Sequence, residues 1–394
     1  MRVLVGGGTG FIGTALSQLL NARGHEVTLV SRQPGPGRIT WDELAASGLP
    51  SCDAAVNLAG ENILNPLRRW NETFQKEVLR SRLETTQLLA KAITKALQPP
   101  KAWVLVTGVA YYQPSLTAEY DEDSPGGDFD FFSNLVTKWE AAARLPGDST
   151  RQVVVRSGEK QGPVYQTGLE CLLWAEEVMG LGELMGLGEL RLQSERMPRL
   201  LANLQMRRCE VLDSHTTHFC YRAKSAWGEW ERGNRNQEEQ WGCFKAERTS
   251  VPSLLPAVGV VLGRGGGAIG HMLLPFRLGL GGPIGSGHQF FPWIHIGDLA
   301  GILTHALEAN HVHGVLNGVA PSSATNAEFA QTLGAALGHR AFIPLPSTMV
   351  QAVFGRERAI MLLEGQKVIP RRTLATGYQY SFPELGAALK EIVA

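Results

Sequence analysis

Three glycines near the start of the chain have the type and spacing needed to hold a diphosphate. They stand as Gly7-x-x-Gly10-x-x-Gly13, directly after the apolar run Val3-Leu4-Val5 and directly before a helical stretch, Thr14 to Arg23. Glycine at the first position permits a tight turn, at the second lets backbone approach a pyrophosphate, and at the third lets the helix pack close to the strand. The helix start, with Phe11 and Ile12 between the glycines, then offers unpaired N–H groups and a positive dipole end to the phosphates. The chemistry implied is binding of a dinucleotide; the alternative is a purely structural strand-to-helix turn.

The second strand selects between cofactors. It reads Glu26-Val-Thr-Leu-Val30 and is followed by Ser31 and Arg32. NAD sites end this strand with an acid that accepts a hydrogen bond from the ribose 2′-OH. Here a hydroxyl and a guanidinium stand instead, and a guanidinium grips a 2′-phosphate bidentately. NADP is favoured over NAD, with a solvated Arg32 as the bland alternative.

The elements that position these residues belong to a large chain. At 394 residues and 44% hydrophobic, it can bury one large core or two smaller ones. Its 37 basic and 37 acidic residues cancel, which argues against an electrostatic nucleic-acid partner. No apolar run reaches the roughly 20 residues that span a bilayer, so no membrane partner is expected. The first strand begins at once, which leaves no room for a signal peptide or transit sequence. Five cysteines in such a chain are no disulfide framework and suit a reducing compartment. The expectation is a soluble intracellular protein, cytoplasmic by default, with mitochondrial import through an internal signal as the alternative.

Further markers follow the glycines. Asp53-Ala-Ala-Val-Asn-Leu-Ala-Gly60 reads as the fourth strand and its turn, and the next helix contains Glu77 to Thr86. Trp103-Val-Leu-Val-Thr-Gly108 reads as the fifth strand, and a later segment is Phe291-Pro-Trp-Ile-His-Ile-Gly-Asp298. Together these resemble the extended short-chain dehydrogenase/reductase superfamily, and more narrowly its atypical "epimerase family" branch, short-chain dehydrogenase/reductase family 39U. Asn317 to Pro321, Asn326 to Phe329, Pro344 and Pro346, and Leu374 to Pro383 resemble the small C-terminal domain of that branch. The resemblance implies an α/β fold, a Rossmann-like doubly wound parallel sheet binding NADP, with a small C-terminal α/β substrate domain as a lid. It also implies that Leu58 and Ala59 lie beside the adenosine, that Glu77 and Arg82 face the adenine side, and that Val261 lies on the nicotinamide side. Arg82 is read either as a phosphate contact or as a surface partner of Glu77. A homodimer through helices beside the fourth and fifth strands follows by analogy with related folds.

The resemblance stops between Gly158 and Val260. The expected organisation is a first part of the Rossmann domain at 1–158, an insertion at 159–259, the rest of that domain with substrate-site strands at 260–310, and the C-terminal domain at 311–394. Removing 159–259 leaves 293 of the 394 residues and joins Arg-Ser-Gly to Val-Val-Leu-Gly. The insertion holds four of the five cysteines, four of the nine tryptophans, and the tandem hexapeptides Met179–Leu184 and Met185–Leu190. Gly158-Glu159 can be encoded GGT-GAG, a splice-donor consensus. Ser250 to Gly259 can be read as a pyrimidine-rich tract and an acceptor. These features suggest a translated retained intron, irregular or disordered. A metal module is the competing reading, but Cys209-x5-His215-x2-His218-x-Cys220 and Cys243 fit no standard zinc spacing, and no metal is expected.

For chemistry, the resemblance implies a Ser/Thr that holds the substrate oxygen, a Tyr that moves the hydroxyl proton, and a Lys four residues after the Tyr that lowers its pKa and binds the nicotinamide ribose. Thr107 ends the fifth strand and fits the hydroxyl role, although alignment on Tyr112 puts Gly108 there. Lys138 falls at the lysine position, but Asn134 stands four residues before it and the Tyr-x-x-x-Lys pattern is absent. Tyr111 or Tyr112 is then a proton donor from another direction, or packs under the cofactor; Lys138 is a ligand or an exposed helix residue. Phe291, Trp293 and His295 are expected at the mouth of the substrate pocket, with His295 either an acid/base or packed. Two functions follow: an NADP-dependent oxidoreductase or epimerase on an unidentified small molecule, or a non-catalytic NADP-binding sensor or interaction protein.

Overall fold

Val3, Leu4 and Val5 are all buried because their strand lies inside a parallel sheet with both faces covered, where alternation gives way to continuous apolar sequence. The computed structural model describes residues 1–63, 68–158, 204–208, 218–223, 242–245, 260–264, 266 and 269–394. Its strands are, in chain order, β1 (Arg2–Gly6), β2 (Glu26–Ser31), β3 (Arg38–Thr40), β4 (Ala54–Asn57), β5 (Ala102–Gly108), β6 (Glu119–Tyr120) and β7 (Arg151–Ser157). Then come β8 (Leu204–Arg208), β9 (His218–Ala223), β10 (Gly242–Lys245), β11 (Val260–Leu262), β12 (Trp293–His295), β13 (Gly314–Gly318) and β14 (Lys367–Val368).

Seven of these form one sheet in the order β3-β2-β1-β4-β5-β7-β13. Every neighbouring pair in it is parallel. The strand order reverses at β1, and the carboxyl edge at such a switch point is where open α/β sheets bind ligands. The expected doubly wound Rossmann-like sheet is therefore present.

Alternate residues build the two faces. Val3, Val5, Val56, Val104, Val106, Val153 and Val155 pack with α1 (Phe11–Ala22) and the helix Ile296–Glu308. Leu4, Ala55, Trp103 and Leu105 meet α2 (Trp41–Ser47), α3 (Glu72–Lys95) and α4 (Phe131–Ala142). Local signals start these helices: Thr40 and Glu43 form a reciprocal capping box, Asn71 caps α3, and Asp130 with Ser133 caps α4.

A separate C-terminal core gathers β11, β12 and the helices Ile269–Arg277, Asn326–Ala336, Ser347–Phe354, Arg356–Leu363 and Leu385–Val393 around Phe276, Phe291, Trp293 and Phe329. β14 pairs with β6. The chain divides into two compact units, Met1–Leu172 with Pro252–Ala394, and Leu173–Val251. Within the second, β8, β9 and β10 pair antiparallel, with Cys220 opposite Cys243. The rest of the 159–259 segment, including the tandem hexapeptides, Cys209 and His215, lies outside the described residues.

Candidate cofactor site and its polar surroundings

The glycine turn is shaped by steric necessity. Gly7 has φ 73°, and a Cβ there would stand 2.8 Å from the Ala59 nitrogen. A Cβ on Gly13 would stand 2.5 Å from the Gly7 carbonyl oxygen. Only glycine lets α1 begin this close to the turn. Gly10 is the helix N-cap and has no side-chain cap, and the first turn of α1 carries no acid. Its leading N–H groups and dipole therefore face the carboxyl edge unneutralised by an acid of the first turn. A Cβ on Gly266 would meet the Phe11 ring at 2.6 Å, so the chain after β11 closes over the start of α1. Ile12 is fully buried beneath.

At the end of β2, the Ser31 hydroxyl donates to the Gln33 carbonyl, and the Gln33 N–H donates back at 3.2 Å. Arg32 reaches outward with 85% of its side chain exposed, loosely paired to Glu61 at 3.4 Å. Its guanidinium can reorient toward a 2′-phosphate.

Beyond Gly7, the turn after β4 forms a ledge. Leu58 and Ala59 are buried, and the Ala59 N–H donates to the Asn57 side chain at 2.9 Å. Gly60 lies against Arg82 of α3: a Cβ there would be 3.1 Å from the guanidinium carbon. Arg82 is 1% exposed and lies 5.2 Å from the Trp139 ring. The Trp139 indole N–H and the Asn57 amide both donate to Thr86, at 2.9 and 2.8 Å. Glu77 pairs with Arg68, and Arg82 Nη1 donates to the Val78 carbonyl at 3.4 Å.

Thr107 and Tyr112 come together in one buried network. Thr107 Oγ1 donates to Glu140 at 3.1 Å. Arg156 grips the same carboxylate with Nε at 2.8 Å and Nη2 at 2.9 Å. Its Nη1 donates to the Tyr112 oxygen at 3.0 Å, and that hydroxyl donates to Asn317 Oδ1 at 2.8 Å. Burial works against the charge of Arg156, but hydrogen bonds and attraction from Glu140, with Tyr112 adding to them, hold it above the ordinary arginine range. Burial pushes the Tyr112 phenol up and outweighs the opposing pull of Arg156. Tyr112 is 0% exposed, and both its donor and an acceptor lone pair are committed inside the fold. Tyr111, beside it, holds its ring 3.3 Å from the Arg156 guanidinium carbon.

Lys138 does not join this group. The inward face of α4 is Phe132, Leu135, Val136 and Trp139, and Lys138 is exposed. One position on a helix turns a side chain through about 100°, so Trp139 occupies the inward place.

Phe291 and Trp293 are buried in the C-terminal core, not at a pocket mouth; their alternation with Pro292 and Ile294 belongs to a strand with both faces covered. Val261 likewise packs its side chain into the sheet core. His295 is 7% exposed. Its Nδ1 accepts from the Gly297 N–H at 3.2 Å, and its Nε2 meets Glu391 at 3.2 Å. It caps the helix Ile296–Glu308 and is packed, one of its two expected roles. The cleft nearest the start of α4 has a volume of about 330 Å³ and is lined by Gln75, Asp130, Phe131, Phe132, Glu357 and Ile360. Sequence reading missed Glu140, Arg156 and Asn317; a charged Arg156 directly after the apolar run Val153–Val155 was the one visible signal.

Residues 3–131 match the NAD dependent epimerase/dehydratase family, and residues 345–392 match a domain of unknown function (DUF1731). The chain is 72% identical over 394 residues to the human epimerase family protein SDR39U1, covering all of both chains. It is 26% identical over 407 residues to the chloroplastic SDR39U1 homolog of Arabidopsis thaliana, covering all of this chain and 87% of that one. A crystal structure of human epimerase family protein SDR39U1 (isoform 2) with NADPH matches at TM-score 0.73 and 72% identity, over 100% of this chain and 99% of that one. A nucleoside-diphosphate sugar epimerase from Corynebacterium glutamicum matches at TM-score 0.60 and 20% identity, over 100% of this chain and 58% of that one; at that identity the likeness shows the fold alone.

Proposed function

The chain belongs to the SDR39U1 branch of the epimerase family, and from that premise we propose that it binds NADPH and acts as an oxidoreductase or epimerase on a small molecule. The observation that carries the reading is the glycine turn, which no side chain could occupy at Gly7 or Gly13 and which meets an uncapped helix start. The human relative, 72% identical, holds NADPH in its crystal structure. When bound, the cofactor supplies or takes the hydride; the chain's part is to seat its pyrophosphate at Gly10–Gly13, to grip the 2′-phosphate with Arg32, and to exclude water. The substrate sits in the cleft at Phe131, Phe132 and Glu357.

A second reading has its own support. The Tyr112 hydroxyl is internal to the fold and Lys138 faces solvent, so the usual proton-transfer pair does not assemble; the protein is then a non-catalytic NADPH-binding sensor or interaction protein. Calorimetric titration of the full chain with NADPH tests the common part, and absence of saturable binding overturns both readings. Incubation with NADPH and a panel of carbonyl compounds separates them: turnover above that of a Thr107→Ala control supports the enzyme.

The 159–259 segment is, in the same reading, a translated retained intron. The 293 residues that remain without it make a continuous strand-to-strand join, and the residues at both ends allow splice-site codons. Amplification across the junction from cDNA tests this. A shorter message beside the long one supports it, and the long form alone refutes it.

A further inference from the structure

We propose that the cleft beside the start of α4 selects a substrate that carries a positively charged amino group; this rests on the reading above that places the substrate there. Three elements build the cleft: α3 with Gln75, the start of α4 with Asp130, Phe131 and Phe132, and the helix Arg356–Leu363 with Glu357 and Ile360. Its volume of about 330 Å³ stands at the low end of ligand pockets, roughly 300–1,000 Å³. It therefore suits a small molecule and not a second dinucleotide. The floor is fixed before any ligand arrives. Phe132 packs with buried Phe74, Val78 and Met361, and the Trp70 ring stands perpendicular to Phe131 at 5.2 Å and tilted against Phe132 at 5.6 Å.

The polar groups of the cleft set the charge of its ligand. Glu357 accepts from the Trp70 indole N–H and the Gln75 amide on one oxygen, Oε2, at 2.5 and 3.0 Å. Asp130 accepts from the Ser133 N–H on Oδ1 at 2.7 Å. These bonds hold both carboxylates in place and leave Glu357 Oε1 and Asp130 Oδ2 without a donor among the described residues, and neither carboxylate is in an ion pair there. The neighbouring cations are engaged elsewhere. Arg68 pairs with Glu77 and Lys76 with Glu72, while Arg358 is buried with its Nε on the Phe354 carbonyl. Two negative charges thus border an apolar floor. A carboxylate or phosphate is repelled at such a site, and an alcohol gains only a hydrogen bond to it. An ammonium gains charge-assisted bonds, which are the stronger ones, with aromatic faces beside it that also attract a cation. Its carbon frame rests on Phe131, Phe132 and Ile360.

Three probes that share one ring test the assignment in the full-length chain, read by ligand-observed NMR titration: 2-phenylethylammonium, 2-phenylethanol and phenylacetate. The ammonium is expected to bind about tenfold more tightly than the alcohol, the scale of two partly exposed ion pairs, and phenylacetate most weakly. Glu357→Gln keeps an acceptor for Trp70 and Gln75, and Asp130→Asn keeps the capping oxygen of α4, so each removes charge with little change of shape. Each is expected to lower the ammonium affinity by about three- to fivefold while the alcohol stays within about twofold, and the double variant to lose the preference. Equal affinities for the three probes, a preference for phenylacetate, or variants that hold the ammonium as tightly as the parent overturn the proposal. Thermal melting checks that the variants fold, and the probe series on the unaltered chain decides even where one does not. NADPH titration runs alongside. NADPH binding without a preference for the ammonium overturns this inference alone, whereas a preference for the ammonium without NADPH binding overturns the reading it rests on and leaves the cleft a site for amines.

Discussion

Replacing Tyr112 by Phe separates a structural hydroxyl from a catalytic one. The ring stays and only the oxygen leaves. That oxygen accepts from Arg156 at 3.0 Å and donates to Asn317 at 2.8 Å, and Tyr112, Arg156 and Asn317 are each 3% exposed or less. The variant thus strands one donor and one acceptor where water has little access. Each buried polar group left unsatisfied costs about 1–3 kcal/mol. Arg156 keeps both bonds to Glu140, so its charge remains compensated and the lower part of the range applies there. The sum is about 2–4 kcal/mol. With a urea m-value of about 3 kcal/mol/M for a chain of this size, the unfolding midpoint falls by about 1 M, read by near-ultraviolet circular dichroism. NADPH affinity is expected to hold, because the hydroxyl points into the β5-β7-β13 network and not at the glycine turn. A midpoint that moves by less than about 0.2 M, with turnover abolished, would show the hydroxyl free for chemistry and refute the argument.

Arg32→Ala is expected to weaken NADPH by about tenfold or more while leaving NADH unchanged; equal loss for the two nucleotides, measured by fluorescence titration, would remove Arg32 from 2′-phosphate recognition. Gly13→Ala puts a Cβ 2.5 Å from the Gly7 carbonyl oxygen, so it should cost about 1–3 kcal/mol of stability and abolish NADPH binding; a melting temperature and affinity equal to the parent's would show that the turn relaxes. Asp121 has a carboxyl held below the usual 3.8, first by the Ser124 hydroxyl and, against the cost of burial, by the charge of Arg371. A depressed native pKa stabilises the fold above the unfolded value and the gain is lost as pH falls through the native one. Asp121→Asn should therefore be less stable than the parent at pH 7, with the gap closing below about pH 4; a gap that persists at pH 2 in urea titrations would assign the effect to packing. In hydrogen exchange, the amides of Arg372, Thr373, Ser381 and Phe382, all bound to buried carboxylates, should exchange more slowly than those of Met349 and Val350; the reverse order would deny the anchoring described below.

What could be read from sequence was what local covalent geometry imposes. Gly13 is required by contacts with Gly7 and Gly8, and Gly7 by its own positive φ, both within the motif, while the crowding of Gly7 by Leu58 and Ala59 is a long-range contact that the spacing alone does not show. The sheet was legible for a similar reason: buried parallel strands must be apolar throughout, and Val3–Val5, Ala54–Val56 and Trp103–Val106 are. At Lys138 the sequence left two readings, a ligand or an exposed helix residue, and the side chain is exposed. The spacing Phe132, Leu135, Val136, Trp139 marks the inward stripe of the helix at i, i+3, i+4 and i+7, and Lys138 is not part of that stripe. The network was not legible, because its bonds join residues as far apart as Tyr112 and Asn317, separated by 205 positions. Two hydroxyls can look equally available in a sequence and differ completely once their partners arrive from distant strands.

The same long-range bonds bear on how firmly the C-terminal part is held to the sheet. Glu122, 5% exposed, accepts from the backbone N–H groups of Asn317, Arg372 and Thr373. Asp298, 0% exposed, accepts from those of Ser381 and Phe382, and the Tyr378 hydroxyl donates to its carbonyl at 3.0 Å. Moving Arg372–Phe382 away would strip two buried carboxylates of their donors, and uncovering a buried charge in this way costs about 3–5 kcal/mol. That stretch is therefore part of the Rossmann body's outer wall. The helix Arg356–Leu363 meets the body through buried Met361, which packs with Phe74, Val78 and Phe132, through Arg358, 5.6 Å from the Trp70 ring, and through exposed Glu357 with Trp70 and Gln75; of these only the exposed polar contacts are worth as little as about 0–1 kcal/mol. Gly355, with φ 76°, joins the helices Ser347–Phe354 and Arg356–Leu363, and displacing the second of these would break apolar burial as well as exposed polar contacts, so this part of the C-terminal region is also held to the sheet's helices.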